Sequence, residues 1–375
     1  MTVAAADVVA AAAPSVEAPV VVAAVVESTA DADSNGAAEE VQICGGGWVR
    51  IDGDEEQVEN NIDAMVEPRN AAVRDSTLAA MRSSSDERVQ AAAAYYEASL
   101  ARFRDVPAVQ CTDTGDCTRA FEAYWQSAEP RRDALARLAE STVDPTVYAW
   151  AFSACARAKG AFGCQSIGAA QWTRLDPDNA VAWLALADEA RTQGDTAGVD
   201  DAMYHVASAT RLDGDEARLA ATLLDHVPAG ESALFGAASL AAMALGFSMS
   251  AAAEQGQTIA SYCGPSGLAD ANRRESCDRI ARLAVERGTS FTAWQLGFSI
   301  GRRVGWPAER LRALEAERVA MTSPASRPEP TVVTRASCET AQDHVRDIRD
   351  LAEFGQVEAM RRRALVSSRT ARVVN

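Results

Sequence analysis

LDPDNAVAWLALADEARTQGDTAGVDDAMYHVASATRLD runs from Leu175 to Asp213 and carries two turns and two apolar stripes. Asp176-Pro177-Asp178-Asn179 reads as a turn followed by a helix start, because Asx side chains accept hydrogen bonds from the free backbone N–H groups at a helix N-terminus. Trp183, Leu186, Ala187 and Ala190 recur at i, i+3, i+4 and i+7, the spacing of one helical face. Gly194-Asp195 interrupts that run as a helix stop followed by a fresh cap would. Val199, Ala202, Met203 and Val206 then repeat the spacing. Two helices are therefore expected. Small residues such as Ala187, Ala202 and Ala209 let them approach closely.

These residues resemble one repeat of the tetratricopeptide family. Its pattern has a Trp, a Leu-Gly/Ala pair, a Gly-Asp turn, a small residue in the second helix and an Asp-Pro between repeats. Trp183, Leu186, Ala187, Gly194, Ala202 and Asp176-Pro177 match it, while Gly214 stands where a closing Pro belongs. Asp144-Pro145 precedes Asp176-Pro177 by 32 residues. That is close to the tetratricopeptide period of about 34, so the intervening segment reads as a degenerate earlier copy. Its cysteines, Cys155 and Cys164, are similar in use to those of Sel1-like repeats. The resemblance covers about two hairpins. It implies an all-α fold of antiparallel helix hairpins in a short solenoid, and a protein or peptide as partner. The Ala- and Arg-rich usage, in which Lys159 is the only lysine, is similar to that of proteobacterial envelope proteins.

Outward from the hairpin the chain divides by composition. Residues 1–40 are Ala/Val-rich and then acidic, with no amphipathic period, and are expected to be a disordered leader. A helical-repeat domain is expected over 41–321, a Pro/Ser-rich linker over 322–337 and a short helical tail over 338–375. Cys44-Gly45-Gly46-Gly47-Trp48 predicts a short extended piece or hairpin, since consecutive glycines permit a sharp backbone path. Apolar periodicity predicts helices between Glu56 and Arg104, and at about 214–226, 230–262, 268–286, 290–303 and 307–321. Gly305-Trp306-Pro307 is a stop-then-start signal.

Charge and cysteine content bound the function. A formal net charge of −17 works against nucleic acid or an anionic membrane as partner. No apolar run in the leader is long enough to span a bilayer. Eight cysteines form an even count. Cys111 with Cys117, Cys155 with Cys164 and Cys263 with Cys277 lie close in sequence, leaving Cys44 and Cys338 near the ends. This pattern predicts disulfides and an oxidising compartment, periplasmic or extracellular. A cytoplasmic chain with eight reduced thiols is the alternative, because the first 40 residues hold no basic residue and make a poor signal peptide.

Candidate chemistry is sparse. Gly297-Phe298-Ser299-Ile300-Gly301 fits the G-x-S-x-G pattern of serine hydrolases, which needs a strand before it and a helix after it. Here it falls within a helical stripe with Trp294, so Gly297 and Gly301 are expected to serve helix packing. Asp31-Ala32-Asp33-Ser34-Asn35-Gly36 begins like a calcium loop but has Gln42 where the bidentate Glu belongs. Asp52 and Asp54 are weaker still. His205, His226 and His344 belong to no metal ladder. Gly45–Gly47 lack the Lys-Ser/Thr of a phosphate loop. Arg361–Arg363 read as a solvated helix end or a contact for an anionic partner. No catalytic residue, metal or cofactor is expected. The leading expectation is a non-enzymatic helical scaffold that binds a protein or peptide in the bacterial cell envelope. A hydrolase using Ser299 and a structural secreted factor are the alternatives.

Overall fold

Alternating residues on either side of the glycines at 45–47 produce the one β-hairpin among the described residues. β1 (Glu39–Ile43) pairs antiparallel with β2 (Gly47–Ile51), with Val41 opposite Val49. Gly45 and Gly47 adopt φ of 66° and 110°, values that an L side chain rarely tolerates. This computed structural model describes residues 39–51, 55–104, 129–156, 162–214, 217–323 and 337–374. All but the last two residues of the expected leader, the Asp31 loop, Asp52, Asp54, Cys111, Cys117 and most of the linker lie outside them.

The rest of the described chain is helical. α1 (Glu55–Arg82) and α2 (Glu87–Arg104) occupy the span predicted between Glu56 and Arg104. α3 (Glu129–Ser141) leads to α4 (Pro145–Cys155), whose first turn is set by Asp144 and Pro145. The Asp144 carboxylate accepts from Thr146 N at 2.8 Å, and Pro at the first helical position has no N–H to satisfy. α5 (Ala169–Leu175) is only two turns long. It hands over to the central hairpin, α6 (Ala180–Thr192) and α7 (Thr196–Ser208). Asn179 caps α6 through Val181 N and Asp195 caps α7 through Gly198 N, and Gly194 turns the chain between them at φ 73°.

After α8 (Arg218–Leu224) comes α9 (Glu231–Tyr262), the longest helix described. It is the axis of the molecule: α1, α6, α8, α11 (Phe291–Val304) and α13 (Cys338–Phe354) all pack on it. α10 (Ala271–Arg287) forms a second tight hairpin with α11. α12 (Ala308–Thr322) and α14 (Gln356–Val374) pack together. The predicted tail is thus two helices broken at Gly355, φ 77°, and both lie against the same body as the central hairpin. Glu39–Asn375 is one unit.

One continuous core runs from Leu78 in α1 to Val357 in α14, with Trp294, Tyr96 and Tyr148 fully buried in it. The stripes predicted for the central hairpin are shifted in detail. Ala187 and Ala190 are buried as expected, but Val181, Leu184 and Ala185 are buried too, while Trp183 and Leu186 are half-buried. α6 is covered on nearly all sides because α5, α7 and α9 all pack on it. Its buried surface is therefore wider than one stripe.

Candidate functional site

Four connections between helices meet at one junction, and backbone hydrogen bonds join them in series. Ala180 N donates to Arg211 O at 2.9 Å, and Thr210 N donates to Asp178 O at 3.1 Å. On the other edge of the strap formed by residues 210–213, Thr289 N donates to Leu212 O at 3.2 Å, and Val357 N donates to Thr289 O at 3.1 Å. Residues 211 and 212 thus form isolated parallel bridges to Asn179 and Gly288.

Asn179 is the pivot of this junction and is 1% exposed. Its Nδ2 donates to Asp176 Oδ2 and to Asp213 O, each at 3.0 Å. Its Oδ1 accepts from Val181 N and Asp213 N, each at 3.2 Å. Both donors and both lone pairs of the amide are engaged, which is what a buried Asn requires. Arg211 closes the corner by pairing with Asp176. Gln356 reaches across from α14, and its Oε1 accepts from Phe291 N at 2.8 Å.

Beside this junction lies a small, half-open cleft. Val181 and Leu184 of α6 form one wall, and Ala293 and Leu296 of α11 form another. Ile259 of α9 and Leu212 of the strap complete the apolar lining. Gly214 and Gly256 contribute backbone, and Ser290 and Thr292 bring hydroxyls at the start of α11. Among the described residues, a Cβ at Gly256 would meet only Leu296 Cδ2, at 4.0 Å. That glycine leaves a gap between α9 and α11 where a side chain has room. Among the described residues the lining holds no ionisable group, so it suits an aliphatic guest, with the two hydroxyls able to orient a polar end.

Among the described residues, three cysteine pairs lie at bonding distance. Cys155–Cys164 and Cys263–Cys277 join as the spacing suggested, with Cα separations of 5.3 and 5.7 Å. Cys44 and Cys338, left over in the sequence, are bonded to each other across 294 residues. The G-x-S-x-G residues lie wholly within α11, not at a strand-to-helix turn. A Cβ on Gly297 would sit 2.8 Å from Ala281 O, and one on Gly301 would sit 2.3 Å from the Trp306 ring. Both glycines serve close packing, as their helical context predicted, and Ser299 is half-buried on the helix barrel.

The remaining candidates have structural surroundings. The His205 ring stacks on Trp183 at 3.9 Å, and Trp183 Nε1 donates to Pro177 O. His226 Nδ1 lies 2.9 Å from Thr222 O. Among the described residues, no three His, Cys, Asp or Glu side chains cluster as a metal site would. The arginines at 361–363 are mid-helix and engaged within the molecule. Arg361 pairs with Glu317, Arg362 with Glu358 and Arg363 with Asp347. A search of protein-family models, of curated proteins and of solved structures finds nothing that matches the chain.

The cleft residues were not legible as a set. Val181, Leu212, Ile259 and Leu296 are ordinary apolar residues of separate segments. The packing of α6 and α11 on α9, with the strap after α7 laid beside them, brings them together. Gly256, a lone glycine within a helical pattern, was the one local signal available.

Proposed function

We propose that this chain is a disulfide-stapled helical scaffold of the bacterial cell envelope, and that its cleft holds an apolar segment of a protein or peptide partner. The observation that carries this reading is the cleft itself: aliphatic walls from α6, α9 and α11, a gap at Gly256, and hydroxyls from Ser290 and Thr292 as the polar side chains among the described lining residues. Such a lining favours retention of a guest through burial of apolar surface, at about 25 cal/mol per Å². Helical repeats of the tetratricopeptide type mostly serve as binding scaffolds, and the Leu175–Asp213 hairpin supports kinship with them. Bonded cysteine pairs support an oxidising compartment. Among the described residues no helix is long and apolar enough to cross a membrane.

Panning a random peptide library on the folded protein tests the reading. Selected peptides should share an aliphatic or methionine side chain. Ala293→Trp, which fills the cleft, should weaken them by about tenfold or more while leaving helix content unchanged. Peptides that bind the filled variant equally well, or a library that yields no binder, would sink it.

A further inference from the structure

The N-terminal layer has a hydrophobic cluster of its own. Ile43 and Val49 of the hairpin pack with Val58, Ile62 and Val66 of α1, apart from the main core. Phe235 of α9 is half-buried against this cluster. The main core takes up α1 only from Leu78 onward. Between the two stretches stands Pro68, inside the helix. Proline has no N–H to give the carbonyl four residues back, so the helix is weakest against bending there.

Beyond the packing of α1 on α9 and of Phe235 on the cluster, three contacts of the hairpin itself help hold this layer to the body. The turn lies flush on the start of α9, where a Cβ at Gly45 would come within 2.8 Å of Ser232 Cα. Cys44 Sγ lies 3.9 Å from Glu231 O. The third is the Cys44–Cys338 bond to the start of α13. This bond also differs from the other two in access. Cys263 and Cys277 are 0% exposed, and Cys155 and Cys164 are at most 5% exposed, whereas Cys338 is half-buried. Thiol–disulfide exchange needs a path for the attacking thiolate to one sulfur, and accessible bonds are the labile ones.

We propose that the Cys44–Cys338 disulfide is a reducible clasp, and that opening it frees residues 39–51 and 55–66 to swing from α9 about Pro68, uncovering Phe235. The reductant is a dithiol. Its thiolate attacks Cys338 Sγ, the S–S bond breaks, and Cys44 leaves as a thiolate that takes up a proton. The second thiol of the reductant then attacks the mixed disulfide. Cys338 is released as a thiol and the reductant departs as a disulfide, having supplied two electrons. The oxidised protein keeps Phe235 half-buried, and the reduced protein exposes it further beside the α9 N-terminus. The peptide cleft plays no part in this switch.

Graded dithiothreitol on the folded full-length chain, with alkylation and peptide mass spectrometry, reads the order of reduction. Hydrogen exchange on the same samples reads the opening. Cys44 and Cys338 should be labelled before Cys155, Cys164, Cys263 and Cys277. Amides of 39–51 and 55–66 should then lose protection by about tenfold or more while α6, α7, α10 and α11 keep theirs. The boundary of lost protection should fall near Pro68. The Cys44→Ser/Cys338→Ser double variant should show the same pattern without reductant. Simultaneous reduction of all three pairs, unchanged protection over 39–66 after reduction, or loss of protection along all of α1 would overturn the proposal.

Discussion

At the scale of single residues, Asn179 carries more of the architecture than its size suggests. It caps α6 and joins the strap to the corner before it, with no part of its amide left to water. Asn179→Ala removes a cap and strands buried partners on Asp213, so a loss of about 2–3 kcal/mol is expected in urea unfolding. The glycines of α11 are a second case. Gly301→Ala drives a methyl into the Trp306 ring, whose position is held by the Nε1 bond to Asp278 at 2.5 Å. It should cost about 1–3 kcal/mol. Ser299→Ala, on the same helix, should change stability by less than about 0.5 kcal/mol in the same measurement. The sequence identified Asn179 as part of a cap and the two glycines as packing residues. It could not show that Asn179 also bonds Asp213, because that contact depends on where the strap returns.

At the scale of elements, α4 shows how a local signal gains a distant partner. Asp144-Pro145 announces a helix start, and the structure adds Arg88 of α2, whose Nε lies 2.6 Å from Asp144 Oδ2. Burial pushes this carboxyl up, but the Arg88 hydrogen bond and the backbone N–H of Thr146 together hold it below the usual carboxylate range. A carboxyl whose pKa is lower folded than unfolded stabilises the fold above its unfolded value, near 3.9, and loses that effect as pH falls through the folded value. The Asp144→Asn variant should therefore unfold at lower urea than the parent at pH 7. The two midpoints should converge as pH drops below about 4. A gap that persists at pH 2 would assign the effect to side-chain geometry and not to charge. α6 teaches the complementary lesson about periodicity. An i, i+3, i+4 stripe marks a helix, yet burial on three sides by α5, α7 and α9 recruits Val181, Leu184 and Ala185 as well.

At the scale of the molecule, the helices are gathered around α9 and stapled at several points. The Cys263–Cys277 bond closes a short loop between α9 and α10. Cys263→Ala/Cys277→Ala frees that loop in the unfolded chain and should cost about 3 kcal/mol, read as a drop in Tm. Mass spectrometry of non-reduced peptides from the native source should recover all three pairs joined. Free thiols there would remove the case for an oxidising compartment. The expectation of an all-α body was sound at this scale, since helix boundaries between Arg218 and Thr322 fall within a few residues of those read from periodicity and caps. The tail is where the expectation was too simple. Gly355 divides it, and Arg361 pairs with Glu317 of α12 while Arg362 and Arg363 pair with Glu358 and Asp347 within the tail.

What this sequence determines by itself is whatever is decided within a few residues of chain: helices from a 3.6-residue period, their starts from Asp and Asn caps, their stops from glycine, and the two local cysteine pairs. These follow from hydrogen bonds and steric limits between near neighbours. The bond between Cys44 and Cys338, the strap laid between Asn179 and Gly288, and the cleft beside it were decided only by tertiary structure. Each joins segments whose proximity depends on how many helices pack on α9 and in what order. No local pattern encodes that order, because the apolar residues that make the cleft are chemically the same as those that make the core.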